Sequence, residues 1–270
     1  MTDKEARNLI QIIFDTYKER NKQTDNRKFA NLIINAYVKY VKKPKFSIIV
    51  DKYKNEYIHN ESRVENNSTP EEKEGLGIVY DFISDFNFET DNYNIFVTSL
   101  IIHSKLYSKC PYSSFGGKLR DTNAYLEDTN IELLSPEETR KKFNNMIQKS
   151  DNIFIPLNEG NIIKYIDDCI KTTIDLIKLQ PFCDGNKRTF RAILNLLLKK
   201  INIPPIYIEK YERLIYKEAL LEAIEKNNYE KIINFYHFKI CDSIMNLDIN
   251  NSMIKDEENK HNEKTHKLKK

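Results

Sequence analysis

Apolar residues recur at helical spacing along most of this chain. Between residues 4 and 22, Leu9, Ile10, Ile12, Ile13, Phe14 and Tyr17 suit an amphipathic helix. Residues 29–42 repeat the pattern with Phe29, Leu32, Ile33, Ala36, Tyr37 and Val41, until Lys42-Lys43-Pro44 breaks it. A shorter, more polar helix is expected over 53–66, then a linker in which Ser68 or Thr69 before Pro70 marks a new helix start. Residues 77–86 and 95–107 read as helices, and Gly116-Gly117 punctuates the loop over 112–117. Residues 118–134 alternate loosely and predict a short β-hairpin flap. Ser135-Pro136-Glu137-Glu138 has the form of a capping box: Ser135 caps, Pro136 opens the first turn, and Glu138 reaches back.

The strongest stripe lies over 161–179, with Ile162, Ile166, Ile170, Ile174 and Ile177 on one face. Residues 189–201 are apolar on several sides, as a buried central helix would be. After Pro204-Pro205, two further helices are expected over 209–226 and 229–245. The fold class is therefore mainly α. Three parts are expected: an N-terminal helical region over 1–54, a core over 55–246 with no break inside 75–245, and a polar, disordered tail over 247–270.

Composition narrows the class. Only 6 Gly and 8 Pro in 270 residues argue against a turn-rich β fold. The 43 basic and 40 acidic residues are interspersed, so the net charge of +3 gives no basic stripe for nucleic acid. Cys110, Cys169, Cys183 and Cys241 lack CxxC spacing, which fits a reducing compartment. The start MTDKEARNL has no leader pattern, and no apolar run is long enough to span a bilayer. A cytoplasmic protein is expected, or an effector exported without a cleaved signal.

The chemistry is concentrated in Gln180-Pro181-Phe182-Cys183-Asp184-Gly185-Asn186-Lys187-Arg188-Thr189-Phe190-Arg191. A Gly-Asn pair at a helix start lets successive N–H groups converge on an anion, aided by the helix dipole. Asp184 offers a hard oxygen suited to Mg²⁺, and Lys187, Arg188 and Arg191 offer charge for phosphates. Arg188 and Arg191 share a helical face, where they could straddle one polyphosphate. Phe182 reads as a packing anchor. Taken alone, Gly-Asn-Lys-Arg could be an ordinary basic helix start with Asp184 as its cap.

That loop resembles the signature of the Fic (Fic/Doc) family, H-x-F-x-(D/E)-G-N-(G/K)-R-x-x-R. Each fixed position matches except the first, where Gln180 stands in place of the family's histidine. Further similarity lies in Gly117-Lys118-Leu119-Arg120, Ile203-Pro204-Pro205 and the tyrosine-bearing stretch from Tyr216 to Ala223, so that roughly residues 55–240 take part. The resemblance implies a Fic-type helical bundle and transfer of AMP from ATP, with Mg²⁺ on Asp184, to a Ser, Thr or Tyr hydroxyl of a protein target. The phosphates would sit on Gly185, Asn186, Lys187, Arg188 and Arg191, and the target would be presented at a flap near 121–134.

In the family the histidine at position 180 is the general base, and a glutamine amide has no usable proton affinity near neutral pH. The resemblance thus leaves three readings: an impaired AMP transferase, a nucleotide- or partner-binding pseudoenzyme, and Doc-like phosphoryl transfer or use of another diphosphate donor. Two more residues carry paired readings. Glu65, in Glu61-Ser62-Arg63-Val64-Glu65-Asn66, resembles the glutamate of a family inhibitory helix that pairs with Arg191, or is a surface residue of a charged helix. Glu61 stands where that motif usually has Ser or Thr. Tyr216 would line a purine pocket, or belongs to the core. His103 and His237 are the histidines to check as replacement bases; His103, on an apolar helix, reads as a buried, satisfied side chain.

Overall fold

The computed structural model describes residues 8, 12, 26–40, 50–65, 68–88, 94–111, 113–126, 131–150 and 162–246. Asn8 and Ile12 are helical; the remainder of the helix expected over 4–22, and the tail over 247–270, lie outside the described residues. Helices α1 (Asn26–Tyr40), α2 (Val50–Val64), α3 (Pro70–Asp85), α4 (Ile95–Leu106), α5 (Pro136–Ser150), α6 (Ile162–Leu179), α7 (Asn186–Lys199) and α8 (Arg213–Lys226) follow one another, and residues 230–246 form α9.

The central element is α7, which packs against α6, α4 and α3. Its residues from Arg188 through Leu198 are all buried, so the all-round apolar pattern does mark a core helix. Asn195, a polar residue on it, is satisfied by Ile206: its amide donates to the Ile206 carbonyl at 2.9 Å and accepts the Ile206 N–H at 2.8 Å. This pairing fixes the segment after Pro204-Pro205 against the core. The α3–α4 crossing is tight because position 75 is glycine, where an added Cβ would lie 1.9 Å from the Leu106 carbonyl oxygen.

Local signals set the helix starts. Thr69, rather than Ser68, caps α3, with Glu72 completing the box and Pro70 in the first turn, so this helix begins one turn and more ahead of residue 77. Ser135 caps α5 as its sequence indicates: its hydroxyl accepts the Glu138 N–H at 3.3 Å, and Glu138 accepts the Ser135 N–H at 3.1 Å. Helix α1 packs on α6, joined by Arg27 and Asp167 at 2.7 Å, and its Tyr37 is fully buried.

The hairpin expected over 118–134 is not seen. Residues 118–126 and 131–134 carry no strand, and 127–130 lie outside the described residues. The physical reason is Arg120. Its buried guanidinium donates to the Thr122 carbonyl at 2.8 Å and the Leu134 carbonyl at 2.6 Å, so the ends of the segment close on a side chain instead of a backbone ladder. No helix among the described residues is long and apolar enough to cross a membrane.

Candidate nucleotide-phosphate site

The loop between α6 and α7 begins at Gln180, in a left-handed conformation at φ 48°. Its side chain turns inward: Nε2 donates to the Ile177 carbonyl at 2.7 Å, and Oε1 accepts from Asn186 Nδ2 at 2.9 Å. Asn186 closes the loop on itself, accepting the Phe182 N–H at 2.9 Å and donating to the Phe182 carbonyl at 2.8 Å. Its side chain is therefore spent on shaping the loop, which leaves only its backbone N–H to offer to an anion. Phe182 is fully buried, stacked on the His103 ring at 4.0 Å and 8°. It is the anchor the sequence suggests.

His103 holds the loop from the other side. Nδ1 accepts the Gly117 N–H at 2.8 Å, so the ring proton sits on Nε2, which faces the Asp184 carbonyl at 2.9 Å. Burial lowers its pKa to about 4, against the opposing pull of Asp184. Both nitrogens are engaged and the ring is neutral, so His103 is a structural histidine. His237 faces Asn31 at 2.8 Å and Asp167 at 2.7 Å, where α9 meets α1 and α6. Neither ring reaches the loop as a free base.

Gly185 then turns at φ 70°, with its N–H on Asp184 Oδ1 at 2.6 Å, and α7 begins. A helix start leaves its first amides without intrahelical acceptors, which makes this turn an anion cradle. An added Cβ at Gly185 would lie 2.7 Å from the Tyr107 hydroxyl. That hydroxyl donates to Asp184 Oδ2 at 2.7 Å and accepts from Arg188 Nη2 at 2.8 Å.

Each cation of the loop meets a carboxylate from the last turn of α2, the residue after it, or the first turn of α3. Arg188 pairs with Glu72 at 2.9 Å. Lys187 pairs with Glu65 at 3.2 Å. Arg191 is held twice, by Glu65 at 2.8 Å and by Glu61 at 2.7 Å. Burial pushes the Glu65 carboxyl up, but Arg191 and Lys187 outweigh it and bring its pKa to about 2. Burial likewise disfavours charge on Arg191, yet Glu61, Tyr216 and Glu65 raise its pKa well above the usual value. Tyr216 lies in the core between Phe235 and Tyr236, with Arg191 5.7 Å from its ring centroid. It also forms part of the wall of a cleft lined by Glu65, Leu126, Lys187, Lys217 and Leu220. The cleft encloses about 50 Å³, against roughly 300–1,000 Å³ for sites that bury a drug-sized ligand.

Asp184 is the exposed carboxylate here, its side chain 64% accessible. Among the described residues no cluster of three His, Cys, Asp or Glu could hold a metal. A cation at Asp184 would thus take one carboxylate and complete its shell from phosphate oxygens, an arrangement that suits Mg²⁺.

Four residues take parts that the sequence alone does not indicate. Glu72 gives no signal, because its partner Arg188 lies 116 positions away. Tyr107 gave no signal, because its partner lies 77 positions away. Glu61 was noticed as a departure, without a role. Arg120, expected only as part of a short resembling element, donates Nε–H to the Gln180 carbonyl at 2.7 Å and so ties the segment that begins at residue 120 to the loop.

The helical bundle thus sets a glycine turn at a helix start beside two buried arginines. A sequence profile of the Fic/DOC family matches residues 98–198. A protein adenylyltransferase Fic of Nematostella vectensis is 28% identical over 107 residues, 40% of this chain and 23% of the relative. One from Aedes aegypti is 42% identical over 50 residues, 18% of this chain and 10% of the relative. The match thus spans less than a quarter of the length of these curated relatives. Among solved structures, a Fic-domain signalling protein from Bacteroides thetaiotaomicron superposes with a TM-score of 0.66 at 15% identity, covering 83% of this chain and 96% of that one. Fic-1 from C. elegans superposes with a TM-score of 0.59 at 16% identity, covering 89% of this chain and 70% of that one. The chain carries a Fic/DOC family domain.

Proposed function

We propose that this domain is a nucleotide-binding, Fic-type AMP-transfer scaffold whose own transfer rate is low. One observation carries this reading: Lys187, Arg188 and Arg191 gather around the amide turn at Gly185, with Asp184 beside them and the Lys187–Tyr216 cleft in front. In this reading the first-turn amides, Lys187 and Arg188 bind the phosphates of ATP. Asp184 holds Mg²⁺, which supplies charge neutralisation on the phosphate oxygens. Residues 121–134 present a protein hydroxyl to the loop.

Gln180 stands where a base is needed and cannot accept the hydroxyl proton. Its amide is committed to Ile177 and Asn186, and both nitrogens of His103 are engaged, so His103 does not replace the base. Loss of general-base catalysis lowers the rate by roughly 10²- to 10⁴-fold while positioning survives. The same observation favours a second reading, in which the domain binds nucleotide or a partner and performs no transfer.

Glu65 is assigned as an inhibitory carboxylate. It fills the donors of Lys187 and Arg191 that a phosphate would use. The test is intact mass after incubation with saturating Mg-ATP and a protein acceptor. Glu65→Gly/Gln180→His is expected to transfer AMP, and Glu65→Gly alone to transfer it far more slowly. A histidine variant that binds nucleotide without transferring favours the binding-only reading.

A further inference from the structure

Glu61 distinguishes this site from a cradle guarded by one removable carboxylate. Its Oε2 lies 2.8 Å from Arg191 Nε and 2.7 Å from Nη2, while Glu65 holds Nη1 on the other side. The two carboxylates differ in freedom. Glu65 follows the end of α2, its side chain is 20% accessible, and it borders the cleft. Glu61 sits one turn back and is 1% accessible, like Arg191 at 3%. The void beside this pair, walled by Leu194, Ile206, Tyr207 and Tyr236, amounts to about 10 Å³, no more than one water could fill. Glu61 has nowhere to swing.

Resting on the nucleotide reading above, we infer that Glu61 is a permanent counter-ion of Arg191, so that the site recognises two phosphates of a nucleotide and gains nothing from a third. When Glu65 withdraws, Lys187 is released and the Nη1 edge of Arg191 opens. The charge of Arg191 stays matched by Glu61, and the buried carboxylate repels further negative charge. Arg188 and the first-turn amides stand at the mouth of α7; Arg191 lies one turn deeper, about 4.5 Å along the axis. A diphosphate seated on the first-turn amides and Lys187 is complete without Arg191; Arg188, itself paired with Glu72, backs the turn from behind. A third phosphate directed at Arg191 meets a cation already neutralised. The ligand class is therefore a nucleoside diphosphate, free or as the diphosphate part of a larger donor.

The test is calorimetric titration of the full chain, Glu65→Gly and Glu65→Gly/Glu61→Gln with Mg-ADP and Mg-ATP, with thermal unfolding to check each variant. Glu65→Gly is expected to bind the two nucleotides within threefold of each other, and the double variant to favour ATP by tenfold or more. A preference of threefold or more for ATP in Glu65→Gly overturns the inference, as does a folded double variant that still fails to favour ATP. If the double variant does not fold, the ATP-to-ADP ratio in Glu65→Gly decides alone. Failure of Glu65→Gly to bind either nucleotide removes the nucleotide reading and this inference with it.

Discussion

The Tyr107 hydroxyl stands between Asp184 and Arg188, donating to the carboxylate at 2.7 Å and accepting from the guanidinium at 2.8 Å. A fully buried tyrosine thereby fixes an exposed carboxylate and a buried guanidinium at once. Tyr107→Phe keeps the ring packing and removes only the hydroxyl. It is expected to lower unfolding stability by about 1–3 kcal/mol, because Arg188 loses an acceptor in a buried place. It is also expected to weaken the Mg²⁺ dependence of nucleotide binding, since Asp184 loses the donor on Oδ2 and keeps the Gly185 N–H on Oδ1. Denaturant titration and calorimetry with and without Mg²⁺ measure the two effects.

His103 makes the fold acid-sensitive. Its folded pKa, about 4, lies below the ordinary value of 6.5. The stability this neutral ring provides is present above pH 6.5 and is lost as pH falls toward 4, because a proton on Nδ1 would face the Gly117 N–H. Between pH 7.5 and pH 5 the loss attributable to His103 is about 2 kcal/mol. Urea unfolding at the two pH values is expected to show it, and His103→Asn to remove that part of the difference.

Arg120 donates to Gln180, Thr122, Leu134 and Thr139 from a fully buried position. Arg120→Ala is expected to cost roughly 3 kcal/mol or more, since several buried carbonyls lose a charged donor together. Lysine has one point of charge and no planar fork, so Arg120→Lys is expected to recover less than half of that. Limited proteolysis near 121–134 is expected to accelerate in both variants.

Glu65 titrates at about 2, so its clamp on Arg191 and Lys187 stays charged at any pH above about 4.5 and opens only as pH falls toward 2. Acidification to pH 5 is therefore not expected to release the cradle. Glu65→Gly is expected to tighten Mg-ADP binding by about tenfold or more at pH 7, equivalent to about 1.4 kcal/mol. Calorimetry at pH 7 and pH 5 measures both outcomes.

The sequence revealed those parts of the fold that depend on neighbours along the chain. Ser135 and Glu138 are three residues apart, and the isoleucine stripe of α6 repeats every three or four positions; such patterns reflect local geometry. The loop from Gln180 to Arg191 was legible because its residues act together as one turn. The partners of its cations were less so. Glu72 lies 116 positions from Arg188 and Glu61 130 from Arg191, and only folding brings them into contact. The hairpin expectation failed for a related reason: alternation over 118–134 gave no hint that Arg120 would take the backbone acceptors.

Glu72 links two scales of the molecule. One of its oxygens receives the Thr69 N–H at 2.8 Å and the other receives Arg188 at 2.9 Å. The residue that starts α3 is thus also the one that balances the cradle's arginine. Drift at this position is constrained twice. Any replacement must both nucleate a helix and neutralise a guanidinium, and glutamine, which preserves the first property, forfeits the second. A lineage could abandon nucleotide binding and still retain this glutamate for its helix, so its persistence alone would be a poor record of whether the site is still used.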